Sequence, residues 1–174
     1  MQFDPNEPVF SKNVIEVLTI SNEFCLLIEK ANSYERNDFF LVLHRILPLL
    51  YLKASLLIPI EASNPEIKDR FVNEEQYELI YLSLKNIFGS DDIFKEALHK
   101  NAENPGSFSE YLSDVYQDIK DFLVLYQKPS MSAKENAVND CLLFFKNHWG
   151  YRSLISVTNI HSLLYPAKKI NNNY

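Results

Sequence analysis

Glycine is scarce in this chain, with three in 174 residues. So little glycine leaves few of the tight turns a short-stranded β fold needs, and the long uninterrupted runs favour helices. Cysteine is scarcer still: only Cys25 and Cys141. Both sit in apolar helical patterns at a spacing that matches no metal signature, so each reads as a small buried hydrophobe. Basic residues are outnumbered, 17 against 23 acidic, for a net charge of −6. That balance repels phosphate backbones and no Lys/Arg cluster offsets it, so nucleic acid is not an expected partner. The opening "MQFDPNEPVF" lacks the basic region and apolar core of a secretory signal. The longest apolar run, "FFLVLHRILPLLYLKASLLI" (39–58), contains His44, Arg45, Pro48 and Lys53. A bilayer-spanning helix carries few or no charges, so this run reads as a buried helix. A cytoplasmic protein with no membrane partner is expected.

What the chain does have is apolar bulk, 47% of its residues, which excludes disorder by composition. Its length suits one domain, at about one per 150 residues. The expected unit is 1–166, followed by a polar tail, 167–174.

Read at 100° per residue, the apolar pattern predicts helices. The first runs over about 11–31, and the second, over 39–58, is apolar almost all round, as befits a central helix. Pro48 predicts a kink there. His44, Pro48, Tyr51 and Ser55 share one stripe, which is either support for the kink or a ligand-binding stripe. A third helix begins after Asn73 with Glu74 and Glu75 at its positive end, and Gly89 stops it. A short helix follows over 90–100, with His99 solvated at its end. Ser107-x-x-Glu110 and Ser132-x-x-Glu135 read as capping boxes that open helices over 107–127 and 132–149. Gly150 punctuates, and a last helix spans 151–165. The fold class is all-α: a compact bundle of about six helices around the central 39–58 helix.

Two groups of residues suggest chemistry. Asp114, Asp118 and Asp121 lie four and three apart, so they share a helix face. Such carboxylates suit hard cations, which take several oxygens from one side. The wheel turns Asp114 and Asp121 about 120–140° from the buried stripe and Asp118 about 80°. Hence two should face solvent, and only Asp118 should reach a site. The alternatives are a solvated acidic face, a metal site using Asp118, and a charged docking face for a partner.

The second group is "NHWGYRS" (147–153). His148 lies within about 50° of a stripe formed by Val138, Cys141, Phe145 and Trp149. It reads as part of a packed corner at Gly150, or as a ligand or metal residue. His161 shares the inner side of the last helix with Leu154, Val157 and Leu164 on this reading. It stands about 15 Å from the corner along that helix, too far to join His148 on one metal. Standard signatures are missing: no GxGxxG, GxxxxGK[ST], HExxH, GxSxG or CxxC. Cys141 and His148 are about 10.5 Å apart along their helix, too far for a thiol–imidazole couple. No cofactor is indicated.

The segments "SFSEYLSDVYQDIKDFLVLY" (107–126) and "FFKNHWGYRSLISVTNIHSLL" (144–164) resemble the bacterial domain-of-unknown-function 5063 family. Its pattern is a capped acidic helix, S-x-x-[DE]-x-L-x-D-[IV]-Y-x-D-[IL]-K, then a helix ending in His-Trp-Gly, then a closing helix with a late histidine. The matching positions are Ser107, Glu110, Leu112, Asp114, Val115, Tyr116, Asp118, Ile119, Lys120, His148, Trp149, Gly150 and His161. The resemblance implies a compact helical bundle and no particular activity. The family pattern places a second histidine two residues after the glycine. Here Arg152 stands there, free to pair with Asp118 or another carboxylate, or to meet an anion.

Three functions follow as expectations. The first is a non-catalytic interaction or regulatory module whose partner is another protein, consistent with twelve Phe, ten Tyr and one Trp. The second is a metal- or anion-dependent enzyme. In it Asp118 and His148 hold a cation or activate water, and Arg152 holds a substrate anion. It requires these three to converge on one pocket. The third is a small-molecule sensor using the His44–Tyr51–Ser55 stripe.

Overall fold

The computed structural model describes residues 7–66, 69–95 and 105–166. Its elements are α1 (Lys12–Glu29), α2 (Arg36–Ser55), α3 (Glu74–Phe88), β1 (Ile93–Phe94), β2 (Gly106–Ser107), α4 (Phe108–Gln127), α5 (Met131–Phe144) and α6 (Gly150–Leu164). The expected helical bundle is present. Its ends follow local chemistry. Asn73 Oδ1 accepts the Gln76 amide at 2.8 Å while Gln76 Oε1 accepts the Asn73 amide, a reciprocal cap at the head of α3. Gly89 closes α3 with a φ of 56°, which a side chain would resist.

The head of α4 is built more elaborately. Ser107 Oγ accepts the Glu110 amide at 3.2 Å, as the sequence predicts. Asp92 adds a carboxylate beneath it: Oδ1 accepts the Ser109 amide at 2.7 Å, and Oδ2 accepts both serine hydroxyls, of Ser107 and Ser109. A buried carboxylate at this end is favoured by the helix dipole and satisfied by its donors. It gets there because α3 is followed by a single 3-10 turn, Gly89–Asp91, and then by a short strand. Ile93 and Phe94 pair antiparallel with Ser107 and Gly106, where a short helix over 90–100 was expected. Residues 96–100, with His99, lie outside the described residues, as does the polar tail from 167.

α4 is the helix the others surround, in contact with α1, α3, α5 and α6. Its stripe of Phe108, Leu112, Val115, Ile119 and Phe122 is buried. The 39–58 run does not hold that central place. α2 packs between α1 and α6, and leaves Leu49 and Leu52 exposed on its outer side. Apolar composition alone does not choose the centre; the number of faces covered does. Pro48 lies within α2, exposed, so its missing amide falls on the outer side.

Two expectations about the end of the chain are corrected. The serine that opens α5 is Ser130, whose hydroxyl accepts the Ala133 amide. Ser132 and Glu135 instead hold the loop that follows α2, through Ser63. And no corner occurs at Gly150. Phe144, Phe145, Trp149 and Gly150 all keep right-handed helical torsions, and α5 passes into α6 through one π turn, Phe145–Trp149. The Gly150 amide donates to the Phe145 carbonyl, five residues back. Glycine is required there for room rather than for torsion: a Cβ would stand 2.4 Å from that carbonyl oxygen and 2.9 Å from the Phe145 ring.

Candidate functional site

α4 carries Asp114, Asp118 and Asp121 on one face, and two elements close over that face. The first is the irregular segment 56–73 between α2 and α3. It brings Arg70, whose Nη1 donates to Asp118 Oδ1 and to Asp121 Oδ2, each at 2.9 Å. The backbone amides of Phe71 and Val72 donate to Asp121 Oδ1 at 2.8 and 2.9 Å. The second is the π turn, which sets His148 against α4 while Trp149 stays fully buried behind it. His148 Nδ1 lies 2.6 Å from Asp118 Oδ2, and Nε2 lies 3.8 Å from Asp114 Oδ2. Asp114 also accepts the Tyr77 hydroxyl at 2.8 Å.

Arg152, one turn into α6, completes the row. Its Nε lies 2.8 Å from Asp114 Oδ2. One Nη donates to the His148 carbonyl at 3.4 Å, and the guanidinium stands 5.5 Å from the Tyr111 ring. Carboxylates and basic side chains therefore alternate along α4: Asp121, Arg70, Asp118, His148, Asp114, Arg152. Asp118 and His148 converge as the enzyme reading requires. Arg152 joins them through the Asp114 carboxylate and the His148 carbonyl and does not pair with Asp118 itself.

The expected solvated acidic face is thus wrong. Asp118 and Asp121 are buried, their side chains 2% and 8% exposed, and Asp114 is half-buried. The helical wheel measured these residues against the apolar core; it could not see a polar lid. Arg70 and Asp92 were missed for the same reason. Each sits beside other charged residues, Asp91 or Lys68 and Asp69, with no apolar period to single it out.

The surroundings tune the neighbouring groups. Burial works against the Arg70 charge, but its hydrogen bonds to Asp121 and Asp118 carry the guanidinium above its usual range. Burial and the bond to Asp114 push the Tyr77 phenol up. Burial, with Asp118 and Asp140 nearby, pushes the Cys141 thiol well up, so it holds no thiolate. Among the described residues, no group of three or more His, Cys, Asp or Glu side chains is arranged to hold a metal.

Beside this row a cleft of about 260 Å³ opens between α4, α5 and the 56–73 segment. Its floor is apolar, from Phe122, Leu125, Ala137, Leu143 and Phe144. Asp118, Asp121, Asp69, Asp140 and Arg70 line the rest. Arg70 lies flat on Phe144, 4.4 Å from the ring centre, and forms one edge. The third expected site does not gather: Ser55 is exposed and donates to the Leu52 carbonyl, Tyr51 packs edge-on against Phe145, and His44 meets His161. His161 is exposed rather than inward. Among the described residues, no helix is long and apolar enough to cross a membrane.

Comparison with known proteins agrees with this architecture. No curated protein matches the chain. The crystal structure of protein BF1032 from Bacteroides fragilis, a structural genomics target, is similar to it at 34% identity. The match covers 94% of this chain and 99% of that one, with a TM-score of 0.85. A family model described as a domain of unknown function, DUF5063, matches residues 8–166. That span holds all six helices and the whole row of charges along α4, and the chain belongs to this family.

Proposed function

We propose that the protein is a non-catalytic recognition module whose cleft beside Asp118 and Asp121 receives a basic side chain of a protein partner. One observation carries the reading. Among the described residues that line the cleft are four carboxylates, Asp69, Asp118, Asp121 and Asp140, and one guanidinium, Arg70. Lysine and arginine lay an apolar stem along a hydrophobic floor and place a cation at its rim, which is the complement of this lining. The volume supports a side chain rather than a whole cofactor, since pockets for drug-sized ligands run to about 300–1,000 Å³. The outer leucines of α2 add apolar surface of the kind interfaces use.

The test is a pair of small probes in an NMR titration: phenethylamine and phenylacetate, alike in shape and opposite in charge. The amine should shift the amides of Ala137, Leu143 and Phe144, and the carboxylate should not. Asp69→Lys should weaken the amine response. Equal responses to both probes, or shifts confined to other surfaces, sink the proposal.

In the second reading, a metal- or anion-dependent enzyme, the 2.6 Å contact between His148 and Asp118 favours the water-activating role rather than a bound metal. A carboxylate at Nδ1 orients an imidazole for proton transfer at Nε2. Asp118 and His148 would activate water, and Arg152 would hold an anion. Hydrolysis of aryl esters and aryl phosphates by wild type, lost in His148→Gln, would support it. Turnover that survives the substitution would end it.

A further inference from the structure

On the side of the bundle away from the acidic row, α2 and α6 run antiparallel, with Tyr51 against Phe145 at one end and His44 against His161 at the other. His161 Nδ1 and His44 Nε2 lie 3.3 Å apart, with ring centres 5.3 Å apart and planes tilted by 38°. Tyr165 packs beside both rings, 4.9 Å from His161 and 6.0 Å from His44.

The geometry points to a two-histidine site for zinc, or a divalent ion of similar preference, on the α2–α6 seam. Two nitrogens each about 2.0–2.1 Å from a tetrahedral zinc are necessarily about 3.3 Å apart, the separation seen here. The contrast with His148 and Asp118 is instructive. Their atoms are 2.6 Å apart, a charge-assisted hydrogen bond too short to be one edge of a coordination tetrahedron.

As the rings stand, one nitrogen faces the other, so a metal requires both to turn until their lone pairs meet beside the line between them. Nothing locks them. His161 is exposed and His44 half-exposed. Two protein ligands leave the remaining positions to water, so the site is open. Imidazole nitrogen selects zinc, copper(II) or nickel, whereas magnesium and calcium take oxygen. A metal bound here would pin α2 to α6 and so favour the folded state by mass action.

The test is calorimetric titration of chelator-treated protein with zinc chloride, with melting temperature as a second readout. Wild type should bind one zinc per chain and melt higher as zinc rises. His44→Gln and His161→Gln, both surface changes that keep a hydrogen-bonding side chain, should each lose the heat and the shift. Magnesium and calcium chlorides should do nothing. The site is wrong if wild type gives no saturable heat, if binding persists in the His44→Gln/His161→Gln double variant, or if magnesium acts as zinc does. This readout is independent of the acidic cleft, so neither result bears on the partner proposal.

Discussion

His148 and Asp118 share the shortest link in the row of charges along α4, 2.6 Å from Nδ1 to Oδ2. A contact of that length, with the carboxylate almost wholly buried, is of the strong, charge-assisted kind. A double-mutant cycle with Asp118→Asn and His148→Gln should return a coupling of about 1–3 kcal/mol in urea unfolding. A coupling near zero would mean that Arg70 alone holds Asp118.

Asp121 does a different job, because it accepts two backbone amides as well as Arg70. Asp121→Ala orphans both amides and should lower stability by about 2–4 kcal/mol. Asp121→Asn keeps an acceptor for the amides and should lose about half as much. Hydrogen exchange at Phe71 and Val72 gives the direct check: both amides should exchange faster in the alanine variant.

Gly150→Ala sets two effects against each other. Alanine favours a helix over glycine by about 1 kcal/mol. Yet its Cβ would meet the Phe145 carbonyl at 2.4 Å, and overpacking of that kind costs about 1–3 kcal/mol. Net destabilisation is expected, measured by thermal or urea unfolding. A more stable variant would show that the π turn relaxes to a plain α turn without loss.

How much of this was legible beforehand depends on how local the cause was. Asn73, Gly89 and Ser107 mark helix ends by their own side chains or torsions, and they were read correctly. Asp121 was read as solvated because its cover is Arg70 and two amides, about fifty residues away, in a segment with no periodicity. The π turn left no mark either. Its residues keep helical torsions, so Gly150 looked like a stop although the helix runs through it. His161 was assigned inward because a wheel centred on Leu154 and Leu164 ignores the surface that α2 leaves open.

The pH response should be asymmetric. Tyr77 and Tyr116 are pushed above the ordinary phenol range, first by burial and then by hydrogen bonds to Asp114 and Glu29. Their folded pKa values exceed the unfolded value of about 10. Their contribution is therefore complete below pH 10 or so and is lost as pH rises beyond it. Unfolding free energy should fall at alkaline pH, and less steeply in Tyr116→Phe. Phenolate absorbance should show both tyrosines ionising above the ordinary phenol range.

The π turn has a last consequence, for the lengths the chain can tolerate. One residue in a helix is worth about 100° of rotation. The extra residue between Phe145 and Trp149 works as a phase setting between the two halves of one long rod. It aims Arg152 at Asp114 on one flank and His161 at His44 on the other. Deleting a single residue there would swing every side chain of α6 by over a quarter turn and undo both meetings together. The 59–66 loop is tied to α5 at Ile60 and Ser63, but no helix takes its rotation from it.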